Sequence, residues 1–227
     1  NNDQTATRAS CILASVARSF RTFRGFMLDS CTGALVNTTN AANWIVEDCT
    51  LWLMISSGDG ISFLGVSQAN CTVRRTMISG GRGSANQILF THAVAIDNTG
   101  HLVENCRFWG GSMERGVLSQ GVGGITVKNS TFVGLEYGIA VGPALTVGQT
   151  MTVNNCIITG NTTAMYATIA AEFVENFNCV AQNHTDRLNV TTGANSNAFP
   201  PLWMPPMIQS ASGIQYPWEA FELSEWS

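Results

Sequence analysis

Short hydrophobic runs recur along this chain, and each is closed by two polar residues and a small residue. The stretch Val103–Glu104–Asn105–Cys106 has the pattern in full, with the small residue three positions after the apolar one. Seven copies of this pattern can be aligned, and each is named by its apolar residue and the residue three positions later. These aligned lines are Leu28/Cys31, Val46/Cys49, Val73/Thr76, Val103/Cys106, Val127/Ser130, Val153/Cys156 and Val174/Phe177. Successive lines are 18 to 30 residues apart, and a repeat of about 20–50 residues predicts a solenoid.

The repeats contain β-rich runs broken by Gly or Asn and lack a helical period, so we expect stacked strands. The alignment predicts an inward column of small side chains at Cys31, Cys49, Thr76, Cys106, Ser130 and Cys156. It predicts an outward column at Asp29, Glu47, Arg74, Glu104, Lys128, Asn154 and Glu175. Signs alternate from Glu47 to Lys128, and opposite charges on neighbouring strands attract, which supports this register.

Between these two columns lies a third, rich in asparagine: Ser30, Asp48, Arg75, Asn105, Asn129, Asn155 and Asn176. It resembles the asparagine ladder of the right-handed parallel β-helix family, the pectate-lyase-like superfold, whose repeats read approximately I-x-x-N-x-F-x-G-x-x-x-G-I. The resemblance covers about residues 22–190. It implies an all-β, single-stranded right-handed parallel β-helix of about seven to eight coils with capped ends. In such a ladder the amides bond to one another along the stack, so Asn129 should be inaccessible.

Three regions are predicted from the limits of the repeat. Residues 1–24 form an N-terminal cap or an irregular first coil, and Ile12, Val16 and Phe20 have the spacing of a short amphipathic helix. Residues 25–197 form the β-helix. Residues 198–227, rich in proline and tryptophan, form a cap over the last coil or along one face, or a tail that assembles with a neighbouring subunit.

Composition narrows the function classes. Charged residues make up only 11% of the chain, and Asn, Thr, Ser and Gly supply its polarity, which suits an extracellular, cell-surface or virion protein. Lys128 is the single lysine and there is no basic run, so no nucleic-acid partner is expected. No run of 18 apolar residues suggests a membrane span. Because the chain starts at Asn1 without Met or a signal peptide, we expect a processed protein or a fragment.

The cysteine and histidine residues are expected to have structural or surface roles. None of the seven cysteines forms a CxxC pair, so no metal site is predicted, and free buried thiols are favoured over a Cys31–Cys49 disulfide. His101 opens a predicted strand and is expected to face outward beside Arg74 or Glu104, and His92 is expected to be structural or on the surface. Six N-x-[ST] motifs, at Asn37, Asn70, Asn129, Asn161, Asn183 and Asn189, are interpreted as chance occurrences.

One group of carboxylates is a candidate catalytic site. Glu114 and Glu136 lie three residues before Val117 and Ile139 on neighbouring coils, with Asp59 in an earlier coil. Stacking would bring the two glutamates to about 4.8 Å, near the roughly 5–5.5 Å carboxyl separation of retaining glycosidases. The alternative is a solvated turn whose acids happen to stack. The Asp cluster of pectate lyases and most motifs of polygalacturonases are missing.

Four further residues are candidates for ligand binding: Trp52, Trp109, Arg115 and Tyr137. Outward aromatic rings can stack on sugar faces. The sequence therefore favours a non-catalytic structural or glycan-recognition module, with a polysaccharide or glycan as possible ligand, no cofactor, and possible homo-oligomerisation through residues 198–227. The alternative is a polysaccharide lyase or glycoside hydrolase that acts in a groove along the β-helix.

Overall fold

The structure is a computed structural model that describes residues 12–14, 20–29, 35–39, 42–53, 59–64, 69–80, 86–91, 100–110, 115–120, 124–142, 150–168 and 173–198. All pairings between its strands are parallel, and they build three stacked sheets. The strands of sheet A are β1 (Ile12–Ala14), β4 (Val36–Thr39), β7 (Ile61–Leu64), β10 (Asn86–Thr91), β13 (Arg115–Gln120), β16 (Tyr137–Val141), β19 (Thr163–Ala167) and β22 (Thr185–Leu188).

Sheet B follows sheet A in every coil, and sheet C follows sheet B. The strands of sheet B are β2 (Arg21–Arg24), β5 (Trp44–Glu47), β8 (Thr72–Arg74), β11 (His101–Glu104), β14 (Ile125–Lys128), β17 (Met151–Asn154) and β20 (Phe173–Asn176). The strands of sheet C are β3 (Met27–Asp29), β6 (Thr50–Leu53), β9 (Met77–Gly80), β12 (Arg107–Trp109), β15 (Thr131–Val133), β18 (Ile157–Thr159) and β21 (Cys179–Ala181). Seven coils of three strands are complete and β22 begins another, so the predicted parallel β-helix is confirmed.

The core lies between the sheets and consists of columns of stacked side chains. Alternate residues of a strand point to opposite faces of its sheet, so the inward residues of successive coils lie one above another. In sheet C the buried column contains Leu51, Ile78, Phe108, Phe132, Ile158 and Val180. The rings of Phe108 and Phe132 stack with centroids 4.5 Å apart, which matches the spacing of the paired strands that carry them.

Five of the seven aligned lines have the predicted register. Val46 pairs with Val73, and the series continues through Val103 and Val127 to Val153. The small residues that follow are buried, as predicted, at Cys49, Thr76, Cys106, Ser130 and Cys156, whereas Cys31 lies outside the described residues. The register of the middle of the solenoid therefore follows directly from its sequence.

The first aligned line is wrong. Phe23, not Leu28, pairs with Val46, and Arg24 rather than Asp29 therefore precedes Glu47 in the outward column. The left-handed residue at the turn between β2 and β3 is Gly25 (φ 73°), so this turn needs no polar side chain and leaves no asparagine signal. β1 and β2 both lie within residues 1–24, and Ile12–Ala14 is a strand, not part of the helix that the apolar spacing allowed.

The last aligned line is wrong by one residue. Glu175, not Val174, pairs with Val153, so Val174 faces outward and is 51% exposed. The buried Glu175 carboxylate accepts a hydrogen bond from Nε of Arg187 at 2.7 Å and one from the backbone N–H of Gly193 at 2.6 Å. Burial of this charge is possible because a cation and hydrogen-bond donors surround it.

The asparagine column is at a turn, but it is not a ladder. Asn105, Asn129 and Asn155 have left-handed backbones (φ 50–54°), as the sequence suggests. Their side chains are exposed, so the prediction that Asn129 is inaccessible is wrong. An inward amide pair lies instead between sheets C and A, where Nδ2 of Asn161 donates to Oδ1 of Asn183 at 2.9 Å.

Candidate functional site

A groove crosses the turns between sheets B and C on the outside of three consecutive coils. Each turn has one exposed residue with positive φ, at Asp48, Arg75 and Asn105. The groove has a volume of about 350 Å³ and is lined by Asp48, Cys49, Thr50, Arg75, Thr76, Met77, Asn105 and Arg107. We call it the corner groove. Most of its lining side chains can form hydrogen bonds.

Ion pairs hold one side of the corner groove in place. Nε of Arg75 donates to Oδ1 of Asp48 at 2.6 Å, and its Nη2 donates to Oε2 of Glu47 at 2.9 Å. Nε of Arg24 lies 3.0 Å from Oε1 of Glu47 and 3.0 Å from Oδ2 of Asp48, and Arg74 also donates to Glu47. The outward column therefore alternates in charge from Arg24 through Glu47, as the predicted attraction requires.

These contacts set the protonation of both carboxylates. The hydrogen bond from Arg75, followed by that from Arg24, lowers the pKa of Asp48 to about 2. The hydrogen bond from Arg74 is the main cause of a lowered pKa at Glu47. Both groups are therefore ionised at neutral pH. They fix the guanidinium of Arg75 and leave the polar lining of the groove preorganised.

Arg107 differs from the other arginines of this region. It is exposed, and it takes part in no ion pair within the described part of the chain. Its column neighbours are Met77 and Thr131, which carry no charge. Its guanidinium can therefore donate to a ligand.

The two candidate tryptophans lie on the same strands as the corner groove. Trp52 and Trp109 occupy one outward column, with Ser79 between them, and both are partly exposed. Two coil steps separate them, about 10 Å at the backbone. Ser79 is buried and its Oγ has no hydrogen-bond partner. We call the exposed or partly exposed outward residues of β6, β9 and β12 the sheet C face: Thr50, Trp52, Met77, Arg107 and Trp109.

The other two binding candidates lie at the start of sheet A. Arg115 pairs with Tyr137, and its guanidinium carbon lies 5.7 Å from the centroid of that ring. Tyr137 also contacts Tyr166 in the next coil, with centroids 5.5 Å apart. This small aromatic cluster stabilises the stacked coils by cation–π and ring contacts. It lies on sheet A and is not part of the sheet C face.

The structure does not bring the described carboxylate candidates together. Asp59 belongs to the coil of β7 and Glu136 to that of β16, so three coil steps, about 14 Å, separate their backbones. The carboxyl groups of glycosidases lie about 5–9.5 Å apart. Asp59 instead accepts a hydrogen bond from Oγ of Ser62 at 2.5 Å. Glu114 lies outside the described residues.

Histidine and cysteine residues contribute to the core. His101 is buried, not outward as predicted, because it follows Cys71 in the inward column of sheet B, and the N–H of Cys71 donates to its Nδ1 at 3.3 Å. His92 lies outside the described residues. The thiols of Cys49, Cys106 and Cys156 are free, and burial raises the pKa of Cys71 to about 11 and those of Cys106 and Cys156 to about 12.

The described residues contain neither a metal-ion site nor a membrane-spanning helix. No group of three or more His, Cys, Asp or Glu residues there could hold a metal ion. No helix in the same residues has the length and apolar character to cross a membrane. Among the six N-x-[ST] motifs, Asn70, Asn129 and Asn189 are exposed and Asn161 is buried.

Sequence reasoning missed Arg107, Asn105 and Met77. The sequence contains a signal for these three residues. Met77 follows the inward Thr76, and Asn105 and Arg107 flank the inward Cys106, which places all three at the outer corner of their coils. That signal becomes visible only when the turn geometry is known.

Comparison with known proteins gave one match. The model of the right-handed β-helix region matches residues 13–198, most of the chain. The chain belongs to the right-handed β-helix family. No curated protein and no solved structure matches it. Because a fold of this kind carries many functions, membership of the β-helix family defines the scaffold of this site and not its ligand.

Proposed function

We propose that this β-helix is a non-catalytic carbohydrate-recognition module that binds its glycan on the sheet C face and in the corner groove. The observation that carries the proposal is that both features share three strands. β6 presents Thr50 and Trp52, and β12 presents Arg107 and Trp109. A ligand lying across these strands contacts the polar groove and the aromatic pair together.

The chemistry of these side chains suits a sugar. A pyranose ring has a C–H face that packs on an indole, and its hydroxyls need hydrogen-bond partners at the ring edge. Trp52 and Trp109 supply the apolar surfaces. Arg107, Asn105 and Asp48 supply donors and acceptors within the same three coils.

Preorganisation supports the same proposal. Asp48 and Arg75 are held by ion pairs before any ligand arrives, so binding immobilises few long side chains. The strands beneath are fixed by the stacked core. The proposal includes no reaction, and the predicted pairing of Glu114 with Glu136 stays a prediction, since Glu114 lies outside the described residues. The small share of charged residues supports a place in an extracellular, cell-surface or virion assembly, which we include in the proposal.

A glycan array tests the proposal. The wild-type protein is applied with Trp109→Ala, Trp52→Ala and Arg107→Ala variants, and Tyr166→Ala on sheet A is the matched aromatic control. We expect one class of glycan to be retained by the wild type and by Tyr166→Ala. Each sheet C variant should bind it at least tenfold more weakly, about 1.4 kcal/mol. Failure of the wild type to bind any glycan, or equal binding by all variants, would overturn the proposal.

A further inference from the structure

The two ends of the solenoid differ in chemistry. β2 and β3 are the first strands of sheets B and C, and the surface beside them exposes Phe20 (78%), Phe26 (50%) and Met27 (79%). The ring of Phe26 stacks on that of Phe23 with centroids 4.2 Å apart. We call this surface the N-terminal edge: Phe20, Arg21, Phe23, Arg24, Phe26 and Met27.

The opposite end also exposes apolar side chains, at Val174, Phe177 and Leu188, but polar contacts close its strands. Arg187 takes an inward position in β22 and pairs with Glu175. The N–H of Asn178 donates to Oγ of Ser196 at 3.1 Å, and Asn197 pairs with Cys179 to continue sheet C by one residue. Inward charges and satisfied backbone groups prevent another strand from adding there. The described residues give the N-terminal edge no comparable protection. An exposed apolar surface of this kind marks a site where another segment or partner binds.

Charge identifies the chemistry of that occupant. Arg21 and Arg24 are both exposed on the edge. The outward column alternates in sign from Arg24 onwards, so an acidic group continues the series on the open side. A second copy placed edge to edge brings arginines against arginines, which repel. The occupant is therefore a segment that is both aromatic and acidic.

This chain contains such a segment outside the described residues. Residues 218–226 read WEAFELSEW, with Glu219, Glu222 and Glu225 and no basic residue among four large apolar side chains. Residues 1–19 do not fit, since they carry Arg8 and Arg18 against the single Asp3.

We propose that residues 218–226 dock on the N-terminal edge of the same molecule. Their glutamates face Arg21 and Arg24, and their aromatic residues cover Phe20, Phe26 and Met27. The distance permits it: Asn197 lies seven coil steps from β3, about 34 Å. The roughly 20 residues between positions 198 and 218 reach up to about 66 Å. Tethering also gives the segment a high effective concentration at the edge.

Zero-length coupling tests this docking in the full-length chain. Lys128 is the single lysine, so Arg21→Lys places one new amine on the N-terminal edge and keeps its charge. A carbodiimide then joins that amine to any carboxylate in contact, and mass spectrometry of the digest identifies the pair. We expect position 21 to couple to Glu219, Glu222 or Glu225. Arg24→Lys provides a second site on the same edge.

Controls separate the outcomes. Coupling of Lys128 to Glu104, 3.1 Å apart, reports in every sample that the reaction works. The triple variant Glu219→Gln, Glu222→Gln, Glu225→Gln on the Arg21→Lys background should lose the new product. A mixture of ¹⁴N- and ¹⁵N-labelled protein should give products of unmixed mass. Position 24 also lies against Glu47 and Asp48, so only products with the tail glutamates count. Absence of coupling from both edge positions to Glu219, Glu222 and Glu225 overturns the docking, and products of mixed mass overturn its intramolecular form.

Discussion

We expect the buried His101 to make this protein less stable in acid. It is 2% exposed, and its Nδ1 accepts a hydrogen bond from the N–H of Cys71, which requires the unprotonated ring. Burial lowers the pKa of His101 to about 4. In the unfolded chain the same side chain has a pKa of about 6.5, so between these values the unfolded state binds a proton that the folded state does not. Stability therefore falls as pH falls through this window.

The size of the effect follows from the two pKa values. One unit of difference corresponds to about 1.4 kcal/mol, so the whole shift is worth about 3 kcal/mol when pH 4 is reached. Between pH 7 and pH 5 the free energy of unfolding should fall by about 2 kcal/mol from this residue. The Asp48 carboxylate contributes little in that interval, because its pKa of about 3.9 in the unfolded chain already lies below pH 5, and in the folded protein its pKa is about 2.

Urea unfolding at pH 7, 6 and 5 measures this directly. His101→Gln keeps a hydrogen-bond acceptor near Cys71 but removes the titrating group, so its pH dependence should be smaller by about 2 kcal/mol than that of the wild type. His184, which is exposed, provides the matched control through His184→Gln. The reasoning is refuted if His101→Gln and the wild type lose stability equally between pH 7 and pH 5.

Three further substitutions test the packing of the solenoid by thermal or urea unfolding. Asn161→Ala leaves the buried N–H of Leu135 without the acceptor that it has at 2.9 Å, and should cost about 1–3 kcal/mol; an unchanged midpoint contradicts this. Gly138→Ala puts a Cβ 2.7 Å from the carbonyl oxygen of Ala164 and should lower the free energy of unfolding by about 1–3 kcal/mol through overpacking. An unchanged stability would show that the coils shift apart to accommodate the methyl group. Glu47→Gln leaves three arginines around a neutral group and should lower the melting temperature most at low salt, so a loss that does not depend on salt argues against the ion-pair network.

The middle of the β-helix is predictable because its signals are local and repeated. From Val46 to Val153 an apolar residue, a left-handed turn residue and a small residue recur in order, and each has one physical cause: an inward position, a tight turn or a narrow corner. The alternation of charge from Glu47 to Lys128 provides a second, independent check. Hydrophobic pattern and turn chemistry agree there, so one register is favoured.

The ends and the site are less predictable, for different reasons. At the C-terminal end Glu175 is inward, which no hydrophobic pattern indicates, because the compensating Arg187 comes from the next coil. At the N-terminal end Gly25 replaces the polar turn residue. Arg107 and Asn105 were missed because a groove depends on how neighbouring turns are shaped, and the repeat pattern alone records only which residues face outward.

Hydroxyl-radical footprinting of the glycan-bound protein tests the proposed function most directly. Met77 lies in the corner groove, and Met27 occupies the same outward column two coils earlier, where it is 79% exposed. With a saturating glycan, oxidation of Met77, Trp52 and Trp109 should fall severalfold, while oxidation of Met27 should not change. A bound glycan that protects none of the sheet C residues, or protects Met27 instead, would contradict the account.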